Sequence, residues 1–298
     1  MDEFATRLRS CAESTEYALA QWLAELGSDN RVPPRLLAAM QHGTLGGGKR
    51  LRPFLVGETA DLFGVSREKS SSAALAVEAV HCYSLIHDDL PAMDDDDLRR
   101  GRPTVHKAYD EATAILAGDA LLTHAFALLA DERCHPDAGV RIGLVRELVL
   151  GSGAAGMVGG QMRDIEGETT RLDEDEISRM QAMKTGALIR ASVRMGAVLG
   201  GASQTELLAL TRFAEAAGRA FQLADDILDV TATTAVLGKA TGKDAGQNKQ
   251  TLVSRIGVAA AAEQLTRTVE EAIEALAPFG PEADTLRQTA RFFAARES

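Results

Sequence analysis

Two acidic clusters, each closing an apolar helical stretch, restrict this chain more than any other feature of its sequence. Residues 88–97 hold six aspartates in ten positions (Asp88, Asp89, Asp94, Asp95, Asp96 and Asp97), with Arg99, Arg100 and Gly101 just beyond. At an effective dielectric of about 20, two like charges about 4 Å apart repel by about 4 kcal/mol, so such a cluster is solvated, protonated or bound to cations. An acidic run alone is most often a solvated loop, and Asp94 to Asp97 taken alone fit that description. Asp88 and Asp89 do not, because residues 73–86 before them are nearly uncharged and read as a buried helix.

The second cluster decides between these readings. Residues 221–229 run Phe-Gln-Leu-Ala-Asp-Asp-Ile-Leu-Asp, again at the end of an apolar helix. Asp225 and Asp229 are four apart and share one helix face, about 6 Å of axial rise between them. One such pattern recurs by chance, but two, each ending an apolar helix, predict a pair of metal-binding walls.

The periodicity predicts helices almost throughout. Phe4, Leu8, Cys11, Thr15, Leu19, Trp22 and Leu26 recur at three- and four-residue spacing, the stripe of an amphipathic helix. The run 27–30 ends it, and Pro33-Pro34 opens the next. Residues 43–48 form a glycine loop, and helices follow over about 49–63 and 68–89, after which Pro91 disturbs the backbone between the paired and single aspartates. Further helices are expected over about 111–130, 140–150, 173–199 and 206–230. Asp173 with Glu176 forms the capping box of the third of these. Residues 231–250, rich in glycine and lysine, read as a loop before helices resume near Thr251. Residues 151–156 match GxGxxG, but the dinucleotide fingerprint needs a preceding strand, and 141–150 look helical. No strand of convincing length is found.

Composition narrows the class. The chain has 298 residues, enough for a substantial core, no linker divides it, and aromatic residues make up only 4%. A single all-α domain over 1–298 is the expectation. A net charge of -11 argues against nucleic acid or an anionic membrane surface as a partner. Only seven lysines occur, and Lys49, Lys184, Lys239 and Lys249 lie near glycine-rich motifs, where a compact cation suits phosphate. Cys11, Cys82 and Cys134 show no CxxC spacing and read as reduced thiols of a cytoplasmic protein. No secretory leader and no membrane span are expected.

The order of the motifs resembles the trans-polyprenyl diphosphate synthases, most closely the bacterial short-chain farnesyl-forming branch. The matching segments, between Gly46 and about Leu252, are Gly47-Gly48-Lys49-Arg50-Leu51-Arg52-Pro53, the first acidic motif with Arg99-Arg100-Gly101, Lys184-Thr185-Gly186, Phe221-Gln222 with the second acidic motif, Gly238-Lys239 and Asn248-Lys249. The resemblance implies an isoprenoid-synthase fold around a deep cavity, usually in a homodimer. It implies head-to-tail condensation: diphosphate leaves an allylic substrate, isopentenyl diphosphate attacks the cation, and a proton is lost to the departed diphosphate.

By the same resemblance, up to three magnesium ions would be held by Asp88, Asp89, Asp94, Asp225, Asp226 and Asp229. Arg99, Lys184 and Lys239 would assist at the leaving diphosphate. Lys49, Arg52, His81 and Arg100 would bind isopentenyl diphosphate, with Lys249 a further substrate contact. Thr185, Gln222 and the backbone at Lys184 would offer oxygens to the developing cation, and Gln161 and Asp164 lie on a helix expected to face the cavity. Residues 231–250 are the candidate lid, excluding water from a reactive cation. Tyr83 lies five residues before Asp88, about 7.5 Å along a helix, where with Ser84 it would floor the cavity and stop the product at fifteen carbons.

Alternatives are a twenty-carbon synthase with the same chemistry, a non-catalytic partner subunit and a terpene cyclase. Retention of both acidic motifs argues against the subunit. The second wall's Asp225-Asp226-Ile227-Leu228-Asp229 and the basic residues available for a second diphosphate argue against the cyclase. No EF-hand spacing supports calcium buffering.

Overall fold

A computed structural model describes residues 2–237 and 250–295, with side chains for 3–231 and 250–295. They divide into two compact units, Met1–Val145 and Arg146–Ser298. The first holds α1 (Asp2–Gly27), α2 (Pro34–Thr44), α3 (Leu51–Asp61), α4 (Arg67–Asp88), a hairpin of β1 (Leu98–Arg99) and β2 (Arg102–Pro103), α5 (Val105–Ala108), α6 (Glu111–Ala130) and the start of α7 (Ala138–Ser152). The second holds the end of α7, α8 (Met157–Thr169), α9 (Glu174–Gln181), a π-helical turn (Ala182–Gly186), α10 (Ala187–Leu199), α11 (Gln204–Leu237), α12 (Leu252–Ile256), α13 (Val258–Ala275), a 3-10 turn (Pro281–Ala283) and α14 (Asp284–Ala294).

In the first unit α4 is the central helix and packs on α6, α3, α2 and α1. Its near-uncharged sequence follows from this position, since Leu75, Ala76, Val77, Ala79, Val80, Cys82 and Ile86 are all buried. Each large apolar side chain so buried contributes about 1.5–3 kcal/mol. The α1 stripe lays Phe4, Leu8, Cys11, Thr15, Leu19 and Leu23 inward. Asn30 takes a left-handed conformation (φ 58°) in the turn after it, and Pro34 opens α2 with Pro33 as its cap.

In the second unit α11 fills the same role against α13, α10, the π turn and α14. Asp173 and Glu176 form the expected capping box, with both bonds at 2.8 Å. The helix that follows is not uniform to Leu199: its hydrogen bonding widens to a π turn over Lys184-Thr185-Gly186 before α10 resumes. Residues 151–156 follow a helix, not a strand. A Cβ on Gly151 would stand 2.5 Å from that of Ala191, so this glycine serves close helix approach.

Four local expectations are corrected. The helix expected from Lys49 begins at Leu51, because Arg50 is turned into the left-handed region (φ 46°) at its cap. Gly43 and Thr44 belong to α2 and not to the glycine loop. The β1–β2 hairpin was not expected, being too short for any alternating pattern. α11 runs on to Leu237, so residues 231–237 of the candidate lid are helical, while 238–249 lie outside the described residues.

Two stretches, Glu111–Ala130 and Ala138–Thr169, are long and apolar enough by length and composition alone to cross a membrane, a test that core helices also pass. The second is two helices parted by a turn at 153–156 and carries Arg141, Arg146 and Glu147. Both helices of this region expose apolar side chains, Ile115 and Leu116 on α6 and Ile142, Val149 and Leu150 on α7.

Candidate active site

The first acidic motif sits where α4 gives out. Pro91 interrupts the helix, and the chain then folds back on itself: the Asp94 N–H donates to the Asp88 carbonyl at 2.8 Å and the Asp96 N–H to that of Asp89 at 3.2 Å. Asp95 takes a left-handed conformation (φ 51°) to close the turn. Asp94 is thereby returned to the backbone at Asp88 across six residues, a proximity helical spacing does not give. Asp88 and Asp94 are half-buried, whereas Asp89 is only 3% exposed. Asp89 accepts from Arg99 Nε at 2.7 Å and Nη2 at 2.6 Å. Burial raises the Asp89 pKa, an effect that Arg99 opposes.

Beside this turn, four arginines gather around His81. Arg50 is 3% exposed; it pairs with Glu16 and with Glu78 (2.6 Å) and donates to the Thr44 carbonyl at 2.7 Å. Arg52 has its Nε buried without a hydrogen-bond partner among the described residues, and burial lowers its pKa. The His81 pKa lies well below the ordinary value, through burial first and then the charges of Arg52, Arg100, Arg50 and Arg99. The imidazole is therefore neutral near pH 7 and the positive charge of the cradle is carried by guanidinium groups. Such forks suit an oxygen-rich dianion.

Sequence reasoning did not single out Arg50, although it stands inside the glycine-lysine motif. Its sign was burial, which a sequence of alternating cations does not disclose. Tyr83, 6% exposed, meets the His87 ring edge-on at 5.6 Å; burial and then Asp88 push its hydroxyl pKa up to about 12. The Ser84 hydroxyl donates to the His81 carbonyl at 2.9 Å.

In the second unit a cleft of about 610 Å³ is lined by Asp164, Gln181, Lys184, Thr185, Gln222, Asp225, Asp226 and Asp229 among others. The π turn projects Lys184 and Thr185 into it, and Lys184 pairs with Asp164 of α8 at 2.5 Å. The Thr185 hydroxyl donates to Gln222 Oε1 at 2.8 Å. Asp226, 3% exposed, differs from its neighbours: Oδ2 accepts from Gln181 Nε2 at 2.7 Å and Oδ1 from Gln222 Nε2 at 2.9 Å. Burial raises its pKa, and Asp225 and Asp229 add to the rise against the two amide donors. Because Asp226 Oδ1 takes the Gln222 Nε2 donor, the amide is held with its oxygen toward Thr185. Gln161, also expected on this wall, has its Oε1 buried without a partner among the described residues.

Thus the structure brings Lys184, Thr185, Gln222, Asp225, Asp226, Asp229 and Asp164 to one cleft in the second unit, and His81, Arg52, Arg99 and Arg100 to one cluster in the first. Lys239 and Lys249 lie outside the described residues. Among the described residues no three His, Cys, Asp or Glu side chains converge as a metal site by themselves.

Residues 33–280 match the family model described as polyprenyl synthetase. Farnesyl diphosphate synthase of Escherichia coli is 46% identical over 277 residues, 92% of this chain and 91% of that protein. The dimethylallyltranstransferase of Fischerella ambigua is 42% identical, over 89% of this chain and 77% of that protein. Among solved structures, an FPP/GFPP synthase from Zymomonas mobilis superposes with a TM-score of 0.87 at 41% identity, covering 98% of this chain and 99% of that one. A geranyltransferase from Legionella pneumophila gives 0.86 at 33% identity, with 99% and 98% covered.

Proposed function

The chain belongs to the polyprenyl synthetase family, and from that premise we propose that it is a trans-prenyltransferase condensing isopentenyl diphosphate with dimethylallyl or geranyl diphosphate to give farnesyl diphosphate. The observation that carries this is the pair of complementary environments: a guanidinium cradle around a neutral His81, and an acidic cleft holding Lys184, Thr185 and Gln222. One environment suits a diphosphate bound without metal and the other a diphosphate bound through it. Two distinct diphosphate substrates are what a condensation requires and a cyclase lacks.

Magnesium, bound through Asp88, Asp94, Asp225 and Asp229 together with substrate phosphate, would neutralise the charge of the departing diphosphate. Asp89 and Asp226 stand apart from these four. Each is buried and held by side-chain donors, so their place in the mechanism is to orient Arg99 and Gln222. By resemblance, Lys184, Lys239 and Arg99 would each meet the leaving group, and Lys49, Arg52, Arg100 and His81 would hold isopentenyl diphosphate, with Lys249 a further contact. Thr185 and Gln222 set oxygen dipoles toward the allylic cation, which needs such oxygens more than it needs a base.

The family match crosses from one unit to the other, so the two units are read as one polyprenyl synthetase domain. The exposed Ile142, Val149 and Leu150 on α7 fit a homodimer interface, and a cytoplasmic location goes with this reading. Tyr83 with Ser84 sets a fifteen-carbon product. A longer product is the second reading, favoured by the likeness to an FPP/GFPP synthase.

The test is diphosphate release from purified protein. Release that needs isopentenyl diphosphate, an allylic primer and Mg²⁺ together, and stops with EDTA, is the expected result. Equal release from the allylic substrate alone would refute condensation and favour cyclisation or hydrolysis.

A further inference from the structure

The loop that delivers Lys49 is three glycines long, and each takes a positive φ: 122° at Gly46, 97° at Gly47 and 120° at Gly48. Glycine reaches such angles without steric cost but gives the loop no stiffness of its own. Its position must then come from outside, and the contacts supplying it are visible on both edges. On the N–H edge, Glu16 of α1 accepts from Gly46 at 2.7 Å and Gly47 at 3.4 Å through one oxygen and pairs with Arg50 through the other. On the carbonyl edge, Arg102 of β2 donates to Leu45 at 2.8 Å and Arg100 donates to Gly47. Arg102 is also steadied by His42, which it approaches at 3.4 Å through Nδ1, while His42 Nε2 donates to the Pro103 carbonyl at 2.7 Å.

These contacts are not equivalent. Arg100 is a substrate group in the reading above, and a diphosphate oxygen is a stronger acceptor than the neutral Gly47 carbonyl it holds here. When Arg100 changes partner, the loop loses that restraint at the moment Lys49 must be in place. Glu16 repels an anion and so faces no such competition, and Arg102 has two holds, on the Leu45 carbonyl and on His42, where Arg100 has the one on Gly47. Neither lies in a motif that pointed to function, and Glu16 comes from a helix far earlier in the chain.

We propose that Glu16 and Arg102 are positioning residues that clamp the Gly46–Gly48 loop from opposite edges and so set the affinity for isopentenyl diphosphate. This rests on the assignment of Lys49, Arg52 and Arg100 to that substrate. The clamp acts on one substrate only: its loss loosens the cradle in the first unit and leaves Lys184, Thr185 and Gln222 untouched.

The experiment uses the full chain with Glu16→Ala, Arg102→Leu and Arg102→Lys. Binding of isopentenyl diphosphate is measured calorimetrically in EDTA, followed by steady-state kinetics with Mg²⁺ and geranyl diphosphate. Glu16→Ala and Arg102→Leu should each weaken isopentenyl diphosphate binding and raise its KM about tenfold, with kcat and the KM for geranyl diphosphate nearly unchanged. Arg102→Lys, which can still reach one carbonyl, should recover most of the loss. If Glu16→Ala does not fold, the exposed Arg102 decides alone. Wild-type affinity in both loss variants would overturn the clamp and leave the reaction standing, as would parallel losses for both substrates. Weakened binding in the variants of a wild type that makes no product would uphold the clamp and fault the reaction.

Discussion

Tyr83 is the residue proposed above to set product length. Its ring is buried against the edge of His87, and His87 Nε2 donates to the Ile115 carbonyl of α6 at 3.0 Å. Gly118 on α6 leaves room for the His87 ring, which a Cβ there would strike. The ring is thus backed by a helix rather than by solvent, as a floor requires. Tyr83→Ala should shift the product from fifteen carbons to twenty or more while the reaction persists, read by chromatography of the dephosphorylated products. Truncating a buried aromatic costs about 3–5 kcal/mol, so the assay is run at a temperature where the variant is folded. An unchanged product would remove Tyr83 from the floor. At this scale the sequence was partly legible. Spacing put Asp225 and Asp229 on one face, but nothing in it separates Asp89 and Asp226 from their neighbours, since that difference is burial and partner. Arg50 and Glu16 were illegible for the same reason: their meaning lies in contacts with residues 28 and 30 positions away.

Among the elements, the π turn at 182–186 has the most direct bearing on chemistry. Wide turns of this kind are rare and concentrate at functional sites, and here one carries Lys184, Thr185 and Gly186. Glycines on its neighbours admit it. A Cβ on Gly160 of α8 would run into the Lys184 backbone, and one on Gly218 of α11 would stand 3.1 Å from Gly186 Cα. Gly160→Ala therefore has to displace the π turn, because the atoms it meets are backbone. We expect a stability loss of about 1–3 kcal/mol in thermal unfolding, and a kcat for prenyl transfer that falls more than either KM rises. A variant with normal kcat would show that the turn's position is immaterial. Most of the long helices were legible, because apolar periodicity, Pro33-Pro34 and the Asp173–Glu176 box are local signals. The π turn, the β1–β2 hairpin and the helical 231–237 were not, because packing decides them more than propensity does.

For the molecule as a whole, a net charge of -11 coexists with a concentrated guanidinium cradle, and this combination explains how an acidic protein takes anionic substrates. Bulk charge repels them, so binding falls to local guanidinium forks and, in the proposed mechanism, to cations held by the acidic walls. The apolar runs over Glu111–Ala130 and Ala138–Thr169 are each broken by charged residues, Asp119 within the first and Arg141, Arg146, Glu147 and Arg163 among those in the second. The exposed Ile142, Val149 and Leu150 are the residues that the proposed homodimer would cover. The family was legible because its motifs are short, ordered and rich in charged residues, whereas product length rests on the shape of a cavity that no motif encodes.

The most direct measurement is product analysis with labelled isopentenyl diphosphate and geranyl diphosphate, with Mg²⁺ or with EDTA. The account predicts a labelled fifteen-carbon diphosphate that accumulates, is not extended, and vanishes in EDTA. Absence of primer-dependent incorporation by folded protein would contradict it.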